Sequence, residues 1–275
     1  MTPSWSRMID EALNEDVGRG DLTTNAVVPA ALQTDAVLVA KEDLVVCGLT
    51  VMAEVFRKVD PRIHMMPEIE EGAGAMAGNT ICTFRGPARG ILTGERVALN
   101  FFQNLSGVAT LTRRFVERIA GTNARIIDTR KTIPGLRTLQ KYAVRIGGGA
   151  NHRFGLDDGI LIKDNHIAIA GGVAEAMRRA QERAIHLHRI EIECATLDQV
   201  REALEAQARV IMLDNMTPDR MREAVALIRG QALVEASGNM TLENVRKVAE
   251  TGVDLISVGA ITHSSGGVDV SLRIG

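Results

Sequence analysis

The sequence predicts an α/β protein in which a small N-terminal α+β domain precedes a larger series of strand–helix units. Up to about residue 90, strand-like and helical segments follow no regular order, whereas from residue 124 onward they alternate. Strands separated by single helices indicate a parallel sheet. Such units can close as a barrel or form an open sheet. We favour the barrel, because no glycine-rich dinucleotide-binding fingerprint follows the first strand of the series.

Composition excludes several functional classes. The 275 residues are 45% hydrophobic and 24% charged, with a formal net charge of -2, as in an ordinary globular protein. The absence of a long basic run argues against a broad nucleic-acid surface, and no apolar run approaches the roughly 20 residues that span a membrane. The start lacks a secretory signal. We expect the scattered Cys47, Cys82 and Cys194 to be buried free thiols in a cytoplasmic protein.

The first domain is predicted to begin with an amphipathic helix and to contain three strands around a second helix. The strand segments are "DAVLVAKED", "RIHMMPEI" and "TICTFRG", and the helix is "LTVMAEVFRKV". A long helical pattern starts near Thr93, which places Arg96 in its first turn. The helix dipole disfavours a cation there, so an arginine at this position suggests an anion against the helix start. A solvated arginine is the alternative.

Six strands are predicted in the second part, most of them followed by helices. They are "RIID" (125–128), "GILIK" (159–163), "RIEIEC" (189–194), "RVIML" (209–213), "ALVEA" (232–236) and "DLISVG" (254–259). Pro218 suits the first turn of one helix, and Thr241 is predicted as the N-cap of another.

Polar and small residues follow these strands. Because ligands gather beyond the carboxyl ends of parallel strands, the residues there are candidates for one site. Cations dominate its first sector: Arg96, Arg130, Lys131, His152, Arg153 and Lys163. Adjacent cations repel each other, so this sector suits a small polyanion, and arginine forks suit carboxylates. Individually, each could be a solvated surface charge.

The later strand ends form an acidic and a neutral sector. Glu191 and Glu193 share one face of a strand and, with Asp214, suit a hydroxyl-rich or metal-carrying group. The alternative is an internal salt-bridge layer with Lys163. "ASGN" (236–239) and "VGA" (258–260) offer backbone N–H groups to a phosphate, unless they are only tight turns.

Long segments closely resemble the quinolinate phosphoribosyltransferase family, the decarboxylating nicotinate-nucleotide pyrophosphorylases of NAD biosynthesis. The resemblance rests on "EDVGRGDLTT", "GERVALNFFQNLSGVAT", the block from "DTRKTIPG" to "LIKDNH", "VIMLDNM" and "SVGAITHS". It implies an N-terminal α/β sandwich over residues 1–107, to which 266–275 return, and an incomplete α/β barrel over 108–265. It also implies a homodimer with active sites shared between subunits, and Mg²⁺.

The resemblance also implies roles for individual residues. Arg130, His152, Arg153 and Lys163 would hold the two quinolinate carboxylates, with Arg96 supplied by the partner subunit. Lys131 and Lys163 would reach the 5-phosphoribosyl 1-diphosphate donor, while Glu193 and Asp214 would hold ribose hydroxyls and the Mg²⁺ environment, through substrate or water if not directly. Phosphate loops would contain Ser237, Gly238 and Gly259, and Thr129 belongs to the same substrate site. Lys131, Lys163, Glu193 and Asp214 are the predicted catalytic residues.

Two alternatives to this enzyme remain from the sequence. A related protein of molybdate-transport operons shares the "TRKT-PG" core, but the continuation through Lys163 favours the quinolinate enzyme. A nonenzymatic anion-binding regulator is the other alternative. The acidic sector argues against it, because simple anion capture needs no carboxylates.

Overall fold

The computed structural model describes residues 5–275. The elements before residue 120 are α1 (Ser6–Val17), α2 (Leu22–Val27), β1 (Gln33–Ala40), β2 (Leu44–Val45), α3 (Leu49–Val59), β3 (His64–Pro67), β4 (Gly74–Ala75), β5 (Thr80–Pro87) and α4 (Ala88–Arg118). Those after it are β6 (Arg125–Ile127), α5 (Arg137–Ile146), β7 (Ile160–Ile162), α6 (Asp164–Ala170), α7 (Val173–Arg183), β8 (Ile190–Cys194), α8 (Leu197–Glu205), β9 (Val210–Asp214), α9 (Pro218–Ile228), β10 (Leu233–Ser237), α10 (Val245–Ala249), β11 (Leu255–Ser257), α11 (Ala260–His263) and β12 (Val270–Ile274).

The chain divides into two compact units. The first contains the described residues up to Arg113 together with 133–148 and 265–275. Its main sheet has the order β12-β1-β5-β3, and all of its pairings are antiparallel. Phe56 of α3 and Phe84 of β5 are fully buried, with ring centroids 5.0 Å apart, and they contribute to the core of this unit.

The second unit contains residues 114–132 and 149–264. Its six strands form a parallel sheet in the order β6-β11-β10-β9-β8-β7. Within residues 5–275, the outer strands β6 and β7 pair with no further strand of the sheet, so the barrel is incomplete. The predicted fold class is therefore confirmed. The grouping differs from the predicted domain boundaries chiefly at 133–148, which with α5 belongs to the first unit; residues 108–113 and residue 265 belong to it as well.

Alternation along the parallel strands determines which side chains are available for chemistry. In β8, Ile192 and Cys194 are fully buried on one face, and the alternating residues Glu191 and Glu193 point to the other. A hydrophobic residue every second position thus holds the strand in the core while its carboxylates face the inside of the incomplete barrel.

Most predicted elements are present, with corrections at two helix starts. The long helix α4 begins at Ala88 and not near Thr93, so Arg96 lies in its third turn and the argument from the helix dipole was wrong. Asn244, and not Thr241, is the N-cap residue of α10; the Thr241 hydroxyl instead accepts a hydrogen bond from the Asn244 N–H at 3.3 Å. The Thr217 hydroxyl caps α9, which begins at Pro218 as predicted.

The three cysteines are buried and unpaired, as expected. In the chain from residue 5 onward, none of the helices has the length and apolar character needed to cross a membrane.

Candidate active site

A cavity of about 740 Å³ lies at the carboxyl ends of the parallel strands in the second unit. All of the predicted site residues except Arg96 and the candidate Glu191 line it: Thr129, Arg130, Lys131, His152, Arg153, Lys163, Glu193, Asp214, Ser237, Gly238 and Gly259. The parallel topology explains this convergence, since each strand delivers the residues after its last hydrogen bond to the same edge of the sheet.

Asp128 fixes the loop that carries His152 and Arg153. Its side chain is fully buried at the end of β6, where Oδ1 accepts a hydrogen bond from the His152 N–H at 2.8 Å. Its Oδ2 accepts another from the Asn151 amide at 2.5 Å. The strand end "DTRK" thus contains a structural carboxylate that ties the 151–153 loop to β6, followed by the cations that face the cavity.

Hydrogen bonds to the backbone of Lys131 fix the position of this residue. The Thr129 hydroxyl accepts a hydrogen bond from the Lys131 N–H at 3.0 Å, and the Lys131 carbonyl accepts one from the Thr262 hydroxyl at 2.6 Å. The Lys131 side chain lies against Gly259, where an added Cβ would be 3.1 Å from its Cδ. A glycine at 259 therefore leaves space for the lysine side chain.

Arg153 has an unused buried donor. Its Nη1 donates to the Gly159 carbonyl at 2.7 Å, but its Nε is buried and has no hydrogen-bond partner within residues 5–275. Burial, and then the nearby charge of Arg130, lower the pKa of the Arg153 guanidinium. An anion in the cavity would satisfy the free N–H and relieve the repulsion between the two guanidinium groups.

Lys163 and the acidic sector face each other. The Lys163 Nζ lies 3.2 Å from Glu193 Oε2; the lysine side chain is half-exposed, and the glutamate is mostly buried. Asp214 follows on the neighbouring strand β9, and its Oδ2 accepts a hydrogen bond from the Asn215 amide at 2.8 Å. The cavity therefore contains cations and carboxylates within reach of one ligand.

A tight turn follows β10. Asn215, Gly238 and Asn239 have positive φ angles of 53°, 105° and 46°. A Cβ added to Gly238 would lie 2.2 Å from Asn215 Oδ1, so only glycine allows this approach. The absence of a side chain exposes backbone N–H groups, as in anion-binding turns.

Comparison with known proteins gives the family. The quinolinate phosphoribosyl transferase C-terminal domain matches residues 108–273, and the N-terminal domain of the same family matches residues 21–106. The chain belongs to the quinolinate phosphoribosyltransferase family.

Full-length relatives support this membership. A probable nicotinate-nucleotide pyrophosphorylase (carboxylating) of Bacillus subtilis is 43% identical over 268 residues, covering 98% of this chain and 92% of the relative. Quinolinate phosphoribosyltransferase (decarboxylating) 2, mitochondrial, of Nicotiana glauca is 42% identical, covering 96% of this chain and 80% of the relative. The solved nicotinate-nucleotide pyrophosphorylase of Francisella tularensis has a TM-score of 0.95 at 40% identity, covering 98% of this chain and 95% of that chain.

One sequence-based alternative changes with the structure, whereas the role of Arg96, which is exposed on α4, stays a prediction. Glu191 and Glu193 do not form one layer with Lys163, because Lys163 pairs with Glu193 while Glu191 Oε2 lies 3.0 Å from His152 Nε2.

Sequence reasoning assigned no role to several residues that line the cavity. Glu235, Met212 and His263 are among them. Glu235 lies near a predicted strand end, but its sequence pattern is that of any polar residue in a strand. Met212 has the pattern of a hydrophobic core residue. The motif "SVGAITHS" contained a signal for His263, because it follows the last parallel strand.

The carboxylates fit a magnesium ion. Glu193 and Asp214 lie on the neighbouring strands β8 and β9 and both line the cavity, so they present hard oxygen ligands to one ligand site. Mg²⁺ commonly binds through one or two carboxylates together with substrate phosphates and waters, and this donor set matches that pattern.

Proposed function

We propose that this member of the quinolinate phosphoribosyltransferase family transfers the phosphoribosyl group of 5-phosphoribosyl 1-diphosphate to quinolinate. The accompanying decarboxylation gives nicotinate mononucleotide, diphosphate and carbon dioxide in NAD biosynthesis. One observation carries the proposal beyond family membership. A single cavity contains cations for a dianion, carboxylates for a ribose and glycine turns for a phosphate.

The cations bind quinolinate. Arg130 and Arg153 both bring guanidinium groups to the cavity, and the Arg153 Nε is a buried donor without a partner among the residues that the structure describes. Two carboxylates on one ring match this excess of positive charge. Nicotinate lacks one carboxylate and leaves a buried cation uncompensated, so it is a poor substrate.

Glu193 and Asp214 act on the ribose. Departure of diphosphate leaves an oxocarbenium-like sugar, and a mostly buried carboxylate such as Glu193 stabilises that positive charge. Lys163, 3.2 Å from Glu193, pairs with this carboxylate and presents its ammonium group to the ligands. Lys131, held over Gly259, reaches the donor phosphates.

Ser237, Gly238 and Gly259 bind the 5-phosphate through their backbone N–H groups and the serine hydroxyl. Glu193 and Asp214 would hold Mg²⁺ together with the donor, and the ion would supply charge neutralisation for the departing diphosphate.

Decarboxylation requires little further chemistry from the protein. When the ring nitrogen has been ribosylated it is cationic, so the electron pair left by carbon dioxide is stabilised by the ring itself until a proton from water bonds to that ring carbon. The residues of the cavity then contribute orientation and charge balance and no covalent nucleophile.

The protein works in the cytoplasm as a homodimer in which each site receives Arg96 from the other subunit. The exposure of Arg96 on α4 supports this arrangement. A two-fold symmetric dimer would place two equivalent copies of it.

Release of carbon dioxide tests the proposed function. The purified protein is given quinolinate, the phosphoribosyl donor and Mg²⁺, and carbon dioxide and nicotinate mononucleotide are measured together. We expect equal amounts of both products, with nothing formed when either substrate is omitted. Nicotinate in place of quinolinate should lower kcat/KM by at least about 100-fold. A protein that binds quinolinate but releases no carbon dioxide would show that it is a binding protein instead.

A further inference from the structure

One buried glutamate beside the cavity has no part in the proposed chemistry. Glu191 of β8 lies with His152 and with Glu235 of β10, and their ligand atoms are all within 4.8 Å of one another. The His152 Nε2 is 3.0 Å from Glu191 Oε2 and 3.7 Å from Glu235 Oε2. Both glutamates are almost fully buried.

The ring nitrogens of His152 identify this cluster as a hydrogen-bonded chain and not a metal site. The Nδ1 atom accepts a hydrogen bond from the Arg153 backbone N–H at 2.7 Å. In the neutral imidazole the proton is therefore on Nε2, which points it at Glu191. A metal ion would need a lone pair on Nε2, which this tautomer does not have.

The chain ends at a quinolinate-binding residue. Glu191 fixes one side of the imidazole, and the other side holds the backbone of Arg153. Beyond that backbone, the guanidinium is held at Nη1 by the Gly159 carbonyl at 2.7 Å, and its buried Nε has no partner in the part of the chain from residue 5 onward. A rotation of the His152 ring would release the Arg153 N–H and change the direction of that free donor.

We propose that Glu191 acts through His152 as a positioning residue that orients Arg153 toward the quinolinate carboxylates. The inference rests on the proposed function. Glu191 does not touch the substrate; it supplies the acceptor that holds the imidazole, and Glu235 closes the cluster from β10. Such a residue affects quinolinate recognition selectively, whereas a residue that only supports the fold affects both substrates together.

Substitutions that keep or remove the acceptor test this proposal. Glu191→Met removes it at similar length, and we expect the KM for quinolinate to rise about tenfold while the KM for the donor stays within about twofold. Glu191→Gln retains an oxygen that accepts from Nε2, so its KM for quinolinate should stay within about threefold of wild type. Should Glu191→Met not fold, Glu191→Ala is measured instead, with the same selective rise expected.

A double-mutant cycle shows whether the effect passes through His152. In a His152→Phe background the chain is already broken, so Glu191→Met should add no further rise in the KM for quinolinate. Thr251→Val is the matched control. It removes a buried hydroxyl that donates to the Val248 carbonyl at 2.6 Å, in the same unit but outside the cavity lining, and should leave both KM values unchanged.

Three outcomes overturn the inference: an unchanged KM for quinolinate in Glu191→Met, an equal rise for both substrates, or additive effects in the cycle. Metal analysis of the purified protein adds a fourth, stoichiometric zinc that is lost in Glu191→Met. Failure of the proposed function is distinct, because the wild-type protein would then release no carbon dioxide.

Discussion

Replacement of Gly238 by alanine adds one methyl group to the turn after β10. The φ angle of Gly238 is 105°, a conformation that L-residues rarely adopt, and the new Cβ would lie 2.2 Å from Asn215 Oδ1 and 3.0 Å from the Asn215 Cα. Because the Asn215 Cα is a backbone atom, rotation of the Asn215 side chain alone does not relieve the contact. Asn215 must move, and its amide then leaves the Asp214 carboxylate that it contacts at 2.8 Å.

Two separate effects lower the free energy of unfolding of Gly238→Ala. The backbone conformation costs about 1–2 kcal/mol for a residue with a Cβ, and overpacking costs about 1–3 kcal/mol more. We therefore expect Gly238→Ala to lower the free energy of unfolding by about 2–5 kcal/mol. Displacement of the turn should also lower kcat/KM for the phosphoribosyl donor about 100-fold.

Gly230→Ala is the matched control. Gly230 has a φ angle of 74° in the same unit, but among the described residues, its chain neighbours aside, no atom lies within 4 Å of its added Cβ. Gly230→Ala should therefore lower the free energy of unfolding only by the cost of the backbone conformation, about 1–2 kcal/mol, and should retain its activity. Denaturant unfolding and steady-state kinetics of both variants measure the difference. If Gly238→Ala were as stable and as active as Gly230→Ala, the steric argument for this turn would be wrong.

Three further perturbations test other parts of the site. Lys163→Ala should lower kcat at least about 100-fold without changing the unfolding midpoint, because the half-exposed ammonium contributes to the ligands more than to the fold; a wild-type kcat would contradict this. Mixing inactive Arg96→Ala and Lys163→Ala subunits should restore about a quarter of wild-type activity, because half of randomly exchanged dimers are mixed and each has one intact site; a verified mixed dimer without activity would exclude shared sites. Burial and the adjacent charge of Glu191 raise the pKa of Glu235 above its ordinary value of 4.5, while its other neighbours include Ser257 and Lys163. Its contribution to stability is thus complete below the ordinary pKa and is lost as pH rises through the raised one. Glu235→Gln cannot ionise and should reduce the fall in unfolding midpoint between about pH 5 and about pH 8, and an unchanged fall would show that Glu235 does not titrate there.

Local pattern predicted most of the fold. The six parallel strands and the helix Leu49–Val59 were identifiable because hydrophobic spacing depends on neighbours in the chain. Helix ends were less predictable: α4 begins at Ala88, directly after a strand, where the sequence has no capping residue to mark the start. The shift moved Arg96 from the first turn to the third and removed the argument from the dipole.

The sequence by itself determined which residues reach the carboxyl ends of the strands, because the period of two along a strand and the parallel order of the sheet follow from pattern. Tertiary structure decided which of them touch. Glu191 and Glu193 lie in the same alternating pattern of one strand, yet they contact different partners. Glu193 contacts Lys163, which follows β7. Glu191 contacts His152, whose loop is hydrogen-bonded to Asp128. Partners from separate strands and loops depend on register and strand order across the sheet, which no local spacing contains. Only folding therefore distinguished a carboxylate that faces the substrate from one that holds the histidine.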